Sequence, residues 1–362
     1  MKVPEYRKEH QNLLNQLSLS GQPFVVYRMP AEATAYIFIP TDIDTITSSV
    51  QMSDREGFVF APFIPGQPAI LFTEPASPES FSVHEQIQPE EDLFPTETER
   101  ESHLRLVNKA ITLMQMGKAE KVVVSGIFRQ AWGGYERSSL LFESLCSLYP
   151  EAFCYIARIP GYGLWVGASP ETLIYWENGW LQTMALAGTL PVNSQREWSI
   201  KEAEEHNWVV AFIGNTLNRE MGRLPEIAGP EELRAGKARH LCTRFRIECS
   251  AGQALQTAFA LHPTPAVCGL PIQEALQFIS ENETHPRELY TGFAGLISNQ
   301  RLHLFVNLRC AKLGSAEAFI FAGGGITPAS KAEDEWDEIT LKSGTLSAAL
   351  LSTLAPTQTH RS

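Results

Sequence analysis

Residues 321–342 read FAGGGITPASKAEDEWDEITLK, and this stretch carries the clearest pattern in the sequence. An apolar strand is predicted to run into three glycines, where the backbone can approach a ligand closely or adopt positive φ without steric cost. In the acidic helix that follows, Glu335, Ile339 and Lys342 fall on one face. A carboxylate on a buried face needs a partner, so the stretch predicts a site that holds a divalent cation.

Two simpler interpretations of this stretch stay open when it is taken alone. Glu338 and Lys342 lie four residues apart, which is also the spacing of a solvent-exposed helix pair. Glycines before a helix are also typical of an ordinary turn, and the stretch matches neither a P-loop nor the GxGxxG pattern of a dinucleotide fold. The rest of the chain therefore has to distinguish a metal site from these simpler interpretations.

The composition is that of a globular protein and narrows the range of partners. A length of 362 residues suits two modest domains or one large sheet-rich domain, and 44% apolar residues are enough for a sizeable core. The net charge of -12 argues against nucleic acid or an anionic membrane as a partner. The six cysteines include no CxxC pair, and no apolar run is long enough to span a bilayer. A cytoplasmic protein with reduced thiols is expected.

The order of helix and strand patterns predicts an α+β fold with mainly antiparallel sheets. The first hundred residues hold short β-rich runs, and the acidic, Pro-rich residues 73–101 are predicted to form an exposed loop. Farther on, Glu177-Asn178-Gly179 is typical of a hairpin turn, a long helix is predicted over 200–219, and one strand is predicted over 302–312. Because helices and strands mix without strict βαβ alternation, one large unit is favoured over two parallel-sheet domains.

The long helix repeats the arrangement of the C-terminal one. Glu205 lies in line with an apolar stripe that includes Phe212, and Glu202 precedes it by three residues. One such acid is often a first-turn residue attracted to the helix dipole. Two such helices suggest two walls of one carboxylate-lined site, which is how proteins hold Mg²⁺.

Other charged residues lie where a purely structural element rarely places a charge. Lys121 heads an apolar strand, where it either extends to water or, if buried, can serve as a general base. Glu171 ends the run Ala-Ser-Pro-Glu and is either an exposed turn residue or an acid aimed into a cleft. Arg309 suits a carboxylate, from a substrate or from a structural glutamate. His240 and His262 are as typical of core histidines as of ligand contacts.

Taken together, these segments resemble a known family, the chorismate-utilising enzymes. That family includes isochorismate synthases, salicylate synthases, anthranilate synthase large subunits and aminodeoxychorismate synthases. The likeness covers about residues 101–351 and is greatest to the isochorismate synthases. Eight motifs carry it, in the family's order: Lys121-Val-Val-Val-Ser125, Ala168-Ser-Pro-Glu171, Leu186-Ala-Gly-Thr189, Glu204-Glu-His206, Leu261-His-Pro-Thr-Pro-Ala266, Leu308-Arg-Cys-Ala-Lys312, Phe321-Ala-Gly-Gly-Gly-Ile326 and Glu335-Trp-Asp-Glu338.

The resemblance implies a role for each matched residue. Lys121 would activate water for attack at C2 of chorismate, and Glu171 would protonate the departing C4 hydroxyl. That acid has to be protonated near neutral pH, so its surroundings have to raise its pKa. Mg²⁺ would be held by Glu205 and Glu338, with Glu202 and Glu335 beside or behind them. The remaining residues implied in substrate binding are Gly188, Thr189, His240, Thr264, Ala266, Leu308, Arg309, Gly323, Gly324, Gly325 and Lys342.

The resemblance also implies a domain organisation, and it leaves alternative functions open. It implies a monomer with one large domain, in which antiparallel sheets pack face to face with helices outside. Residues 1–101 would be a β-rich part of the same fold, 102–353 the catalytic region and 354–362 a disordered tail. Salicylate synthase, which goes on to eliminate pyruvate, is one alternative function, and a non-catalytic chorismate-binding protein is another. Ammonia-using members typically carry glutamine at the position of Lys121, which argues against them. The product would feed menaquinone or siderophore synthesis.

The sequence also departs from its relatives in the outer part of the expected site. Gly126 stands where relatives often have arginine, Leu190 replaces an arginine that is common after the Ala-Gly-Thr run, and Ile339 stands where threonine is frequent. These departures leave the expected acid, base and metal ligands in place.

Overall fold

The structure is a computed structural model that describes residues 3–52, 55–78, 94–235 and 238–355. Within these ranges the chain forms the α-helices α1 (Gln11–Ser20), α2 (Ser49–Met52), α3 (Arg100–Gln115), α4 (Ser138–Leu148), α5 (Ile200–Met221), α6 (Ala251–Leu261), α7 (Ile272–Asn282) and α8 (Ala332–Ser352). None of these helices has the length and apolar character needed to cross a membrane.

The strands outnumber the helices and are mostly short. In chain order they are β1 (Glu5–Tyr6), β2 (Phe24–Arg28), β3 (Ala35–Phe38), β4 (Pro40–Ile46), β5 (Gly57–Ala61), β6 (Ala69–Pro75), β7 (Lys121–Ala131), β8 (Phe153–Ile159), β9 (Gly163–Ser169), β10 (Thr172–Glu177), β11 (Trp180–Pro191), β12 (Glu226–Ala235), β13 (Ala238–Glu248), β14 (Gly269–Leu270), β15 (Phe293–Ile297), β16 (Arg301–Val306), β17 (Cys310–Leu313) and β18 (Glu317–Ile326).

The described strands form two antiparallel sheets of nine strands each. Sheet A has the order β1-β3-β2-β8-β9-β17-β18-β7-β14, and sheet B has the order β12-β13-β11-β10-β16-β15-β5-β6-β4. The first hundred residues supply strands to both sheets, so they belong to the same architecture as the rest of the chain. This is the α+β fold with antiparallel sheets that the sequence predicts.

The inner faces of the two sheets pack against each other through aromatic side chains. Phe153 of sheet A stacks on Phe305 of sheet B with ring centroids 4.4 Å apart, and Tyr155 of sheet A lies 5.9 Å from Phe60 of sheet B. These side chains belong to one buried cluster drawn from both sheets. Large rings supply much apolar area per residue, so this layer is a principal source of the fold's stability.

The helices cover the outer faces of the sheets. Helices α1, α4 and α8 pack on sheet A, whereas α2, α5 and α6 pack on sheet B. Helices α3 and α7 pack against β7 at the end of sheet A, where Val122 and Val124 face them. Alternate residues of β7, among them Lys121 and Val123, therefore face the space between the sheets.

Several expected elements are present, and one is corrected. The Asn178-Gly179 turn joins β10 to β11, and both residues have positive φ, as a tight hairpin requires. The single strand expected over 302–312 is wrong, because β16 ends at Val306 in sheet B and β17 begins at Cys310 in sheet A. Both halves are apolar and extended, so the sequence pattern does not show the break.

The acidic segment 73–101 and the C-terminal tail lie partly outside the described residues. Residues 73–75 belong to β6, residues 79–93 are outside the described ranges, and α3 begins at Arg100. Residues 94–99 lie along β7, where Thr98 exchanges hydrogen bonds with Ile127. The expected loop is thus shorter than 73–101. The tail expected over 354–362 lies outside the described residues from 356 onward.

Candidate active site

A cavity lies between the two sheets and is bounded by the N-terminal halves of α5 and α8. It is lined by Val123, Pro170, Glu171, Leu186, Ala187, Gly188, Glu205, His240, Ala266, Val267, Tyr290, Thr291, Leu308, Arg309, Phe321, Ala322, Gly323, Gly325, Glu338 and Lys342. Most residues singled out by the sequence are among them. The motifs are spread over more than two hundred positions of the chain, and the fold gathers them around this one space.

Two of the three glycines of β18, Gly323 and Gly325, form one wall of the cavity and leave room for the charged side chains around it. The three glycines pair with Val123, Val124 and Ser125 of β7, so the strand continues through the glycines to Ile326. A Cβ atom on Gly325 would lie 2.7 Å from Glu205 Oε1 and 2.9 Å from Lys121 Cε. Glycine is favoured here because a side chain would displace these groups, and not because the backbone has positive φ.

Lys121 and Glu205 form an ion pair beside this wall. Lys121 Nζ lies 2.7 Å from Glu205 Oε1, and the lysine side chain has no exposed surface. Lys121 is therefore buried and does not extend to water, which removes the structural alternative considered from the sequence. Glu205 keeps 16% of its side-chain surface exposed and lines the cavity. A buried lysine next to a carboxylate that faces the cavity is an unusual arrangement for a purely structural strand.

A second lysine–glutamate pair lies on α8. Lys342 Nζ donates to Glu338 Oε1 at 2.5 Å and to Gly323 O at 3.0 Å. Glu335 is buried on the same helix, and a Cβ atom on Gly324 would lie 3.4 Å from Glu335 Oε2 and 4.0 Å from Glu338 Oε1. Carboxylates from α5 and α8 therefore surround one short stretch of β18.

The donor set fits a hard divalent cation in its chemistry. Glu205 and Glu338 both line the cavity, and Mg²⁺ prefers carboxylate oxygens as ligands. Among the described residues, no three His, Cys, Asp or Glu side chains stand close enough together to hold a metal ion. In this structure each of the two carboxylates is paired with a lysine instead.

Glu202 has a different environment from the other glutamates predicted to surround a metal. Its carboxylate accepts hydrogen bonds from Ser199 N at 2.8 Å, from Ser199 Oγ and from Arg196 Nη2 at 2.6 Å. Glu202 is therefore the third residue of a capping box that starts α5. The backbone of Glu202 lies against Gly188, whose positive φ of 73° favours glycine at this position. A role for Glu202 at a metal stays a prediction.

Glu171 lies at a point where the chain passes from one sheet to the other. Strand β9 of sheet A ends at Ser169, and β10 of sheet B begins at Thr172. The carboxyl group is buried, which raises the pKa of Glu171 to about 8, although Lys121 and Arg309 oppose the shift. This carboxyl is therefore protonated at neutral pH, as the sequence-based hypothesis of an acid requires.

Arg309 lies at the second such crossing, directly beside the first. The chain passes from β16 to β17 here, and Arg309 adopts a positive φ of 49°. Arg309 O accepts from Ala168 N at 3.0 Å, and Glu171 O accepts from Val306 N at 3.0 Å, so the two crossings are joined. The guanidinium donates to Lys342 O at 3.4 Å, and Arg309 lines the cavity.

His240 closes the side of the cavity formed by sheet B. Its Nδ1 lies 3.1 Å from Gly188 O, and a carbonyl oxygen accepts, so Nδ1 carries the proton. Burial and the nearby cations Arg309 and Lys342 lower the pKa of His240 to about 3. The imidazole is therefore neutral, and its place on the cavity wall fits a ligand contact.

The remaining predicted residues divide into those on the cavity wall and those behind it. Ala266 and Leu308 line the cavity, whereas Thr264 is buried outside the lining and Gly324 faces α8. The backbone of Thr189 continues β11 next to Gly188.

Sequence reasoning missed two polar residues of the lining, Tyr290 and Thr291. Both are buried, and Thr291 has a positive φ of 61°. They lie in an irregular connection between α7 and β15, where no periodic pattern marks a functional side chain. The Gly292 that follows is the one sequence signal of this tight backbone.

The chain is similar to known proteins over most of its length. Residues 71–351 match the family described as chorismate binding enzyme. The isochorismate synthase EntC of Escherichia coli strain K12 is 29% identical over 310 residues, which cover 79% of this chain and 78% of that protein. The isochorismate synthase MenF of the same strain is 30% identical over 270 residues, which cover 70% of this chain and 62% of that protein.

Solved structures share the architecture. The structure of MenF, the menaquinone-specific isochorismate synthase from Escherichia coli, superposes with a TM-score of 0.77 at 22% sequence identity, covering 97% of this chain and 96% of that one. An identity this low shows the fold alone, and the fold is the one expected from the motifs.

Proposed function

The chain belongs to the chorismate binding enzyme family, and from that membership we propose that it is an isochorismate synthase, an isomerase that converts chorismate to isochorismate. The observation that carries the proposal is that one cavity has beside it both a buried lysine, Lys121, and a buried glutamic acid, Glu171, whose pKa is raised to about 8. A protein that only binds chorismate needs neither an acid nor a base. Membership of the family indicates that the substrate of this chain is a small molecule.

The proposed reaction exchanges one hydroxyl group for another without a net change in atoms. Lys121, as the free base, takes a proton from a water molecule whose oxygen forms a bond to C2 of chorismate. The ring double bonds shift, and the C4–oxygen bond breaks. Glu171 gives its proton to the leaving oxygen, which departs as water. General acid and base catalysis by such groups typically contributes about 10²–10⁴-fold each to the rate.

Glu205 and Glu338 are the residues that we propose to hold Mg²⁺, with Glu335 next to them. When bound, the ion would neutralise the ring carboxylate of the substrate. Glu205 is paired with Lys121 in this structure, so a cation bound by Glu205 would compete with the lysine for the same carboxylate. The donor chemistry of the two helices supports this assignment.

We propose that the cations on the cavity wall bind the anionic substrate. Arg309 and Lys342 both line the cavity, and Lys342 also contacts Gly323 O. Two fixed cations attract a dianion that a chain with a net charge of -12 would otherwise repel. Neutral His240, Ala266 and Leu308 complete the wall.

The cellular role is proposed from the relatives. Their names include a menaquinone-specific enzyme and a vibriobactin-specific one, so the product would enter menaquinone or siderophore synthesis. We propose a cytoplasmic location, which the six free cysteine thiols support.

Incubation of the protein with chorismate and Mg²⁺, followed by chromatographic identification of the product, tests the proposal. Isochorismate should form in this incubation. Its formation should stop when EDTA is added and should resume when Mg²⁺ is added back. Salicylate and pyruvate in place of isochorismate would assign the salicylate synthase activity instead. Binding of chorismate without turnover would identify a non-catalytic binding protein.

A further inference from the structure

The outer edge of β7, the strand that begins at Lys121, is completed by side chains. Within the described residues, a two-residue strand, β14, pairs with the start of this edge. Beyond it, Arg287 Nη2 donates to Val123 O at 2.7 Å, and Glu283 Oε1 accepts from Ser125 N at 2.7 Å. The two side chains thus occupy the place of a neighbouring strand and satisfy backbone groups that would be costly to leave unpaired.

Glu283 and Arg287 are themselves joined in a buried, two-pronged ion pair. Arg287 Nε donates to Glu283 Oε2 at 2.9 Å, and Nη2 donates to Oε1 at 2.6 Å. Each side chain is 2% exposed. Burial raises the pKa of Glu283, but the adjacent guanidinium outweighs it and leaves that pKa below its usual value. The pair is therefore ionised at neutral pH, and its geometry is fixed by the planar guanidinium.

Arg287 also reaches two other parts of the cavity wall. Its Nη1 donates to Val267 O at 2.9 Å and to Thr291 Oγ1 at 3.4 Å. Val123, Val267 and Thr291 all line the cavity, whereas Arg287 does not. One guanidinium behind the wall therefore connects three separate segments that line the cavity.

We propose that the Glu283–Arg287 pair positions the catalytic base: it holds the start of β7, and with it Lys121, at a fixed place relative to the opposite wall of the cavity. The inference rests on the proposed function, since it concerns the residue that activates water. Arg287 contacts neither substrate nor Lys121, so its role is one of positioning. A shift of about 1 Å in a reacting group can lower a rate by about 100-fold.

Arg287→Lys tests the inference, because lysine keeps the charge but cannot make the forked set of contacts. We expect kcat for isochorismate formation to fall about 10- to 100-fold, while KM for chorismate stays within about threefold. Amide hydrogen exchange over residues 121–125 should become faster. Glu283→Gln keeps an acceptor for Ser125 N and removes the charge, so it should give a smaller decrease in kcat.

Arg158→Lys is the matched control. Arg158 is also a buried arginine that binds a backbone carbonyl, Ser18 O at 2.6 Å, and it lies away from the cavity. This variant should lose comparable thermal stability and retain kcat within about twofold, because a merely structural role changes stability and not turnover below the melting temperature.

The outcomes separate the inference from the proposed function. If the wild-type protein makes no isochorismate, the proposed function fails before any variant is compared. If the wild type is active and Arg287→Lys lowers kcat no more than Arg158→Lys does, the positioning role is wrong. Failure of both Arg287→Lys and Glu283→Gln to fold would also overturn it, because the pair would then be a requirement of the fold.

Discussion

The two lysine–glutamate pairs of the cavity are built in different ways, although their chemistry is the same. Glu338 and Lys342 lie one turn apart on α8, and their side chains are 31% and 16% exposed. Lys121 and Glu205 come from a strand and a helix 84 positions apart, and the lysine has no exposed surface. A local pair costs little to form and little to separate. A buried pair is held by the surrounding fold, so removing one partner is expensive.

The difference in burial and in sequence separation indicates that the two pairs have different roles. The partly exposed, local pair can open without disturbing the fold, which suits a lysine and a glutamate that exchange partners with substrate and metal. The buried pair lies inside the protein, where the surrounding fold confines Lys121. We therefore expect changes to the buried pair to have the larger effects.

The largest effect is expected for Lys121→Ala. It removes the proposed base and also leaves Glu205 without its lysine, so turnover should fall by roughly four orders of magnitude, the upper end of the range for such groups. Lys342→Ala is the matched change in the local pair and should act mainly on KM. Both are checked by steady-state kinetics of isochorismate formation, with circular dichroism to confirm folding. Near-normal turnover in Lys121→Ala would show that the lysine is structural.

Glu171→Gln should lower turnover by roughly two to three orders of magnitude, since it removes the proton donor but keeps the shape. The wild-type rate should decrease as the pH rises through about 8, where this carboxyl loses its proton. That decrease is measured as kcat against pH in the wild type. A rate that stays constant to pH 9.5 would contradict the assignment of Glu171 as the acid.

The raised pKa of Glu171 also predicts how the stability of the folded protein changes with pH. The pKa of Glu171 is raised from 4.5 to about 8 in the folded state, so the folded protein binds this proton more tightly than the unfolded chain does. Stability is therefore lost as the pH rises between these values. The melting temperature of Glu171→Gln relative to wild type should increase from pH 5 to pH 8.5, and a constant difference would mean that the carboxyl is not desolvated.

Glu205→Gln and Glu338→Gln compare the pairs directly in the absence of metal. Glu205→Gln leaves Lys121 buried without its partner charge, and a loss of about 3 kcal/mol in the free energy of unfolding is expected. Glu338→Gln breaks a partly exposed pair and should cost less than about 1 kcal/mol. Urea denaturation measures both. Equal losses would show that the two pairs are energetically alike and would remove the basis of the comparison.

Much of the fold could be predicted from the sequence where the signal is local. The Asn178-Gly179 hairpin, the long helix α5 and the strand that starts at Lys121 follow from turn chemistry and periodicity, and all three are present. The pair of Glu338 with Lys342 follows from their spacing on one helix. Each of these depends on residues close together in the chain.

What could not be predicted depends on contacts between distant segments. The break between β16 and β17 is set by the passage of the chain from one sheet to the other, and that passage places Arg309 next to Glu171. Tyr290 and Thr291 reach the cavity because α7 and β15 hold their connection there. Glu205 is likewise the partner of Lys121 because α5 packs against the sheets in this position.

The smallest effect is expected for Gly325→Ala, and it tests how tightly the buried pair is confined. The added Cβ would lie 2.7 Å from Glu205 Oε1 and 2.9 Å from Lys121 Cε, so these groups would have to move apart by a few tenths of an ångström or more. Turnover should fall about tenfold.

Gly324→Ala is its control, because the nearest atoms there, in Glu335 and Ile339, lie 3.4 Å away and on the side of α8. Neither glycine has positive φ, so the change adds no backbone strain at either position and the two differ in the side chains they approach. Turnover within about twofold of wild type is expected for Gly324→Ala, measured under the same conditions. If Gly324→Ala were the more damaging of the two, the carboxylates of α8 would be more tightly confined than the Lys121–Glu205 pair, and the order proposed for the two pairs would be reversed.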